Sequence, residues 1–171
     1  MKLIEPCQEY LQSYYEACSE TWGWVHDDYI IHNPQDFEHW KTRIFEDYEN
    51  QKKGIGLRNG FVPSITFWFI DDNKYLGTVN IRLELPQHLI EYGGNCGLVL
   101  RKSARNKGLG IVILKLALEK MNELNISPIV LTAEEKNAAS WKIIEKSNYK
   151  KRDLYSTVLN GKLTEARRYY L

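Results

Sequence analysis

Cysteine is scarce in this chain. Cys7, Cys18 and Cys96 are the three among 171 residues, too few and odd in number for a disulfide framework, so a reducing compartment is expected. No apolar run approaches the roughly 20 residues that a membrane-spanning helix needs. The first residues also lack the charged, apolar and small-residue order of an export signal, so the protein is expected to be cytoplasmic, with no membrane partner. Net charge is only +1, which leaves no global field for nucleic acid or a lipid surface. Internal repeats and low-complexity segments are absent. Two glycine motifs are absent too: Gly-x-Gly-x-x-Gly, and the Gly-x-x-x-x-Gly-Lys-Ser/Thr loop. The length suits a single domain, residues 1–171, with a sizeable core.

The chain is organised around residues 95–124. Leu98, Val99 and Leu100 read as a short buried strand. Arg101, Lys102, Arg105 and Lys107 make the next seven residues a basic turn. Gly108 and Gly110 then open a helix with apolar residues at helical spacing: Leu109, Val112, Ile113, Leu116, Ala117, Met121 and Leu124. Ile111, Leu114 and Leu118 widen that face, so the helix is expected to be buried on most sides. A strand, a basic glycine turn and a helix N-terminus together suit a polyanion. The first helical turn has free N–H groups and a partial positive charge, and glycines clear the approach to them.

The remaining chain supplies elements around this unit. Residues 1–5 read as a strand. A helix after Pro6 has Tyr10, Leu11, Tyr14, Tyr15 and Cys18 on one face. Residues 21–32 read as a loop. A helix from Asn33-Pro34 to about Lys53 turns Phe37, Trp40, Ile44, Phe45 and Tyr48 inward. Ser64–Ile70 and Tyr75–Leu85 read as paired strands around Asp71–Lys74, followed by a connector from Gln87 to Gly94. Pro128–Ala133 is a further strand, and a helix begins at Asn137. Residues 149–159 and 162–171 read as a hairpin through Asn160-Gly161. Its edge offers a place for a second copy to form a homodimer. Strands on both sides of two helices, with local hairpins, predict a mixed sheet and an α/β architecture.

Arg105-x-x-Gly108-x-Gly110, in this strand–turn–helix setting, resembles the signature of the GNAT N-acetyltransferases. The segment from Asn137 through Ser140 and Glu145-Lys146 to Tyr149 is similar to the family's next helix. Val62 to Phe69, Gly77 to Arg82, Gly93-Gly94 and the terminal Arg168-Tyr-Tyr resemble a bacterial subgroup of predicted acetyltransferases, so the likeness covers the whole chain. It implies an α+β fold: a largely antiparallel, twisted sheet flanked by helices. It implies acetyl-CoA as co-substrate, no metal, and a small-molecule or peptide amine as acceptor. The cofactor-binding residues it implies are Leu98, Val99 and Leu100 along the pantetheine arm, and Arg105, Asn106, Lys107, Gly108, Leu109, Gly110 and Ile111 around the pyrophosphate. Arg101, Lys102 and Lys107 would neutralise the remaining phosphates. Asn137 matches the family's CoA-contacting asparagine and equally fits a helix N-cap.

Acetyl transfer to an amine requires a positioned donor, a neutral amine and stabilisation of developing charge. The chain departs from the family pattern at two places. Ile144 stands where many members carry a tyrosine that protonates the thiolate. Asn95 stands where many carry a glutamate. The general-base candidates are therefore Glu84 and Glu134, with His88 and Glu91 on the connector. Cys96, on a buried strand with no activating histidine, reads as a core residue, as does Tyr149. Trp22, Trp24, Asp27 and Asp28 are candidates for an acceptor pocket, aromatic walls beside carboxylates suiting a cationic amine. The alternative reading is a non-catalytic module that binds CoA or an acyl-CoA.

Overall fold

The computed structural model describes residues 1–21, 36–159 and 161–171. The expected acceptor-pocket residues Trp22, Trp24, Asp27 and Asp28, the helix start at Asn33-Pro34, and Asn160 lie outside the described residues, as does the Trp40 side chain. The elements are β1 (Lys2–Ile4), α1 (Leu11–Thr21), α2 (Phe37–Trp40), α3 (Ile44–Lys53), β2 (Ser64–Asp71), β3 (Lys74–Arg82), α4 (Gln87–Glu91), β4 (Cys96–Leu100), α5 (Leu109–Glu123), β5 (Val130–Glu134), α6 (Ala138–Lys146), β6 (Asp153–Leu159) and β7 (Lys162–Tyr170).

The strands form two sheets, ordered β1-β2-β3-β4 and β5-β7-β6. Every described pairing is antiparallel, in agreement with the α+β expectation. The first sheet is buried on both faces, which is why Ser64 to Ile70 of β2 are all buried in sequence. Side chains alternate across a strand. Ile65, Phe67 and Phe69 therefore join Val79, Ile81 and the α5 residues Ile113, Leu114, Ala117 and Met121 in one core. Trp68 and Ile70 join Tyr10, Leu11 and Tyr14, with Ile44 and Tyr48 of α3, in the other. Tyr14 stacks on Trp68 at 4.8 Å between ring centroids. The predicted amphipathic faces of the first two helical segments thus cover one side of the sheet, and α5 covers the other.

Four local expectations change. The helix predicted to run to Lys53 is broken at 41–43, between α2 and α3. The connector after Pro86 contains the short helix α4. The last hairpin begins at Asp153 rather than at Tyr149, and Tyr149 instead packs against the α5 core. The first turn of α5 is more exposed than its pattern implied, with Ile111 at 39% and Val112 at 36%. Among the described residues no helix is long and apolar enough to cross a membrane.

Candidate active site

Asn95, just before β4, ties the first sheet to the start of β5 in the second. Asn95, 3% exposed, donates its backbone N–H to the Val130 carbonyl at 2.7 Å, and its Oδ1 accepts the Val130 N–H at 2.7 Å. Beyond this clasp β4 and β5 belong to different sheets. They are tied where each begins, and among the described residues no ladder pairing joins them beyond that point, which leaves an unpaired opening between them. Asn95 is thus a buried clasp that does not titrate.

The chain just before the clasp is built for close approach. Gly93 and Gly94 have φ of 122° and 65°, and a Cβ on Gly94 would lie 2.5 Å from the Val130 carbonyl oxygen, so only glycine fits. The buried Arg82 guanidinium donates to both the Gly93 and Gly94 carbonyls at 2.9 Å.

One side of the opening is β4. Arg82 N–H bonds to the Asn95 carbonyl, and Arg101 N–H to the Leu76 carbonyl, at 2.8 and 2.9 Å. In an antiparallel ladder, backbone groups turn to alternate sides residue by residue. With 95 and 101 turned toward β3, Leu98 and Leu100 turn their N–H and C=O toward the opening. The Leu100 carbonyl accepts Arg105 Nε from that side at 3.0 Å.

The basic turn follows, with a 3-10 segment at Lys102–Ala104. Asn106 and Gly108 both take left-handed conformations, φ 60° and 76°. Gly108 is the N-cap of α5 and offers no side-chain cap. Alternating turn conformations ahead of an uncapped helix N-terminus point successive N–H groups into one concavity, a nest for an anion. A Cβ built on Gly108 meets nothing within 4 Å, so the space above it is open. Gly110 differs: a Cβ there would come 2.4 Å from Ile143 Cδ1. Gly108 shapes the nest, whereas Gly110 lets α5 close onto α6. The sequence places both glycines at the ligand, and the structure adds a packing role for Gly110.

Arg101 is a correction. It was expected to reach phosphate, yet its side chain is 9% exposed and bound inward. Its Nη2 donates to Glu20 Oε1 at 2.5 Å and its Nη1 to the Tyr75 carbonyl at 3.0 Å. Glu20 also accepts the Ser103 backbone N–H at 2.8 Å and the Ser103 hydroxyl at 2.9 Å. Burial pushes the Glu20 carboxyl upward, but hydrogen bonds from Arg101 and Ser103 outweigh it and hold the group below its ordinary value. A carboxylate in the last turn of α1 opposes the helix dipole. Its four donors, Arg101 Nε and Nη2 with the Ser103 N–H and hydroxyl, compensate, and they fix the turn to the body of the protein. Nothing in the local sequence couples residue 20 to residues 101–103. Lys102 and Lys107 remain exposed, and Arg105 is half-buried.

The opposite side is β5 and α6. Asn137 caps α6, its Oδ1 accepting the Ser140 N–H at 3.2 Å, so the capping role expected of it is present. The segment before it is anchored through Arg167, which donates to Glu135 at 2.5 and 2.7 Å and to Glu145 at 2.9 Å and stacks 3.8 Å over the Trp141 ring. Ile144 is 5% exposed, in the core.

The general-base candidates separate. β3 ends at Arg82, so Glu84 is not on the strand as expected; it is exposed on the following loop. His88 Nε2 lies 2.9 Å from the Gly60 carbonyl, and Glu91 accepts Gln87 Nε2 at 2.8 Å. Glu134 ends β5, and its Oε1 accepts the Tyr92 hydroxyl at 2.6 Å. Burial pushes the Cys96 thiol up to about 12, which makes it an inert core group. The contacts that sequence reasoning missed are Glu20–Ser103, Arg82–Gly93/Gly94 and Tyr92–Glu134. The Gly93-Gly94 pair was their one visible signal.

The family model described as an acetyltransferase (GNAT) domain matches residues 2–150. No curated protein sequence matches the chain. Among solved structures, a chimera of the spermidine N-acetyltransferase SpeG from Vibrio cholerae and hSSAT is 14% identical, with TM-score 0.62, over 100% of this chain and 96% of that one. The microcin C7 self-immunity acetyltransferase MccE, in complex with acetyl-CoA and AMP, is 13% identical, with TM-score 0.63, over 99% and 90%. RimL, a ribosomal L7/L12 alpha-N-protein acetyltransferase in complex with coenzyme A, is 12% identical, with TM-score 0.65, over 99% and 92%. At these identities the likeness is one of fold.

Proposed function

Because the chain belongs to the GNAT acetyltransferase family, we propose that it moves an acetyl group from acetyl-CoA to a primary amine by direct attack of the amine on the thioester. The observation that carries this reading is the nest at Asn106–Gly108, set at the N-terminus of α5 with open space above Gly108. The pyrophosphate lies on the N–H groups of residues 106–111, with Arg105, Lys102 and Lys107 around it. The pantetheine arm runs along Leu98, Val99 and Leu100. The backbone groups that Leu98 and Leu100 turn toward the opening are its hydrogen-bonding partners, and the Leu98 N–H is the donor for the developing oxyanion. Asn137 closes the far side of the cofactor. Glu134 is the general base; Glu84, exposed beyond the end of β3, is the weaker candidate.

The relatives' acceptors set the first panel to try: spermidine, and a peptide with a free N-terminal amine. Calorimetric titration with acetyl-CoA and CoA, alongside thiol release over that panel, tests the proposal. Binding with amine-dependent thiol release is the expected outcome. Binding without release on any amine favours a CoA-binding module instead, and absence of binding removes the nest assignment.

A further inference from the structure

Acyl transfer to an amine has to move protons. The amine arrives as an ammonium ion and must lose one before it attacks, and the departing thiolate must gain one. Few described side chains at the opening between β4 and β5 can do either. Asn95 and Asn137 do not titrate, Ile144 is apolar and buried, and the Cys96 thiol is held protonated by burial.

Tyr92 and Glu134 are a hydrogen-bonded pair of titratable groups at the end of β5. Leu131 and Ala133 turn into the core beneath α5 and α6. By strand alternation, Thr132 and Glu134 turn to the other face. The Thr132 Oγ1 accepts the Gly93 N–H at 2.9 Å, and this pins the end of the α4 connector against β5. Tyr92, the next residue back, therefore lies along the same face, and its hydroxyl donates to Glu134 Oε1 at 2.6 Å. The other carboxylate oxygen faces Lys136 Nζ at 3.3 Å, and the Glu134 side chain is 30% exposed. Tyr92 is half-buried. The pair is thus held by the glycine connector that leads into the clasp between the sheets, and both residues are only part-buried.

We infer that Tyr92 and Glu134 act as one proton-handling pair in the acyl transfer proposed above, on which this inference rests. Glu134 takes a proton from the ammonium. The freed nitrogen lone pair forms the N–C bond to the thioester carbon, and the C–S bond breaks with its electron pair on sulfur. The Tyr92 hydroxyl proton passes to that sulfur, and the proton held by Glu134 moves to the Tyr92 oxygen. The second surplus proton on nitrogen leaves to water. The products are the acetamide and the CoA thiol, and the pair returns to its starting state. A phenol and a thiol are acids of similar strength, so this donation is energetically accessible.

The test uses Tyr92→Phe, Glu134→Gln and the double variant. Each is assayed for acetyl-CoA affinity by calorimetry and for thiol release under saturating acetyl-CoA with the fastest amine of the panel. Phenylalanine keeps the ring, and glutamine keeps an acceptor oxygen, so folding is preserved. Each single variant should lose about 100-fold in kcat with acetyl-CoA affinity within twofold of wild type. The double variant should lose no more than the worse single one, because the two groups act as a unit. A kcat within twofold of wild type in either single variant, or losses that multiply in the double, would overturn the pair. So would a wild-type protein that binds acetyl-CoA yet releases no thiol with any amine. Failure of wild type to bind acetyl-CoA would instead overturn the underlying cofactor site.

Discussion

The four-stranded sheet β1–β4 is covered on both faces, whereas β6, at the edge of the three-stranded sheet, has no buried residue among those described. Trp68, Phe69, Ile70, Val79 and Ile81 are each at most 1% exposed in the first sheet. At about 1.5–3 kcal/mol for each fully buried large apolar side chain, burial alone accounts for its cohesion. In the second sheet Val130, Leu131, Ala166 and Tyr169 of β5 and β7 are likewise at most 2% exposed, and ion pairs add to this burial and tie on the outer strand β6. Arg167 joins β7 to Glu135 and Glu145, and Arg168 joins β7 to Asp153 of β6 at 2.7 and 2.8 Å. Partly exposed pairs of this kind contribute about 0–1 kcal/mol each. The basic turn follows β4 of the first sheet, Glu134 ends β5 of the second, and Asn137 follows it. In the function proposed above, the cofactor lies between a firm wall, buried on both faces, and a softer one whose outer strand is exposed, with Asn95 as the joint.

The largest effect expected concerns the firm wall. Gly108→Trp should weaken CoA binding about 100-fold, the equivalent of roughly 2.7 kcal/mol, because the indole fills the open space over the nest. Calorimetry on the folded variant checks this, with Gly108→Asn as the control that tolerates the left-handed backbone. Affinity equal to wild type in the folded tryptophan variant would separate the turn from the cofactor.

Next comes the joint itself. Asn95→Leu leaves the buried Val130 N–H without its acceptor and should cost about 1–3 kcal/mol in urea unfolding. If stability is unchanged, the sheets are held together by something other than this clasp.

Gly110→Ala sharpens the contrast between the two glycines. The new methyl meets Ile143 and should cost on the order of 1 kcal/mol, since a side-chain terminus can partly yield. CoA affinity per folded molecule should change little. A large affinity loss with no stability loss would show that the ligand needs the absence of a side chain at Gly110, and not its backbone N–H alone.

Glu20→Gln probes how the turn is tied down. The Glu20 carboxyl lies below its ordinary value of 4.5 when folded. Its ionised form therefore adds stability that is present above that value and is lost as pH falls through the depressed folded value. The melting-temperature gap between wild type and variant should be constant from neutral pH down to about 4.5, and should close in more acidic solution. A gap that persists unchanged in acid would show that charge is not what Glu20 contributes.

The smallest effect is expected at the soft edge. Val158 and Leu163 are 65% and 75% exposed and face each other across the hairpin. Val158→Lys with Leu163→Lys should shift stability by no more than about 0.5 kcal/mol. Sedimentation of the same double variant tests whether this edge joins two copies. A wild-type dimer that becomes monomeric would assign it as an interface.

What is legible in the sequence is local: the strand, turn and helix running from β4 into α5 are present as read. Arg105 to Gly110 is one turn, and its strand, its glycines and its helix are adjacent in the chain. Asn137 as a cap is equally local. Arg101 was misjudged because a basic residue in a basic turn looks like its neighbours until a carboxylate from another element comes to meet it. Glu84 was misplaced because the strand was read three residues too long; β3 ends at Arg82.

What the sequence determined by itself is the order of strands and helices, the amphipathic faces of α1, α3 and α5, and the position of the basic glycine turn. Each follows from periodicity and turn chemistry within about twenty residues. What only the tertiary structure decided is the division into two sheets at Asn95, the inward turn of Arg101 onto Glu20, the packing role of Gly110, and the meeting of Tyr92 with Glu134. These rest on contacts between residues 33 to 83 positions apart. Hydrogen bonds and close contacts at that range depend on where packing brings the elements, and no periodicity in the chain encodes them.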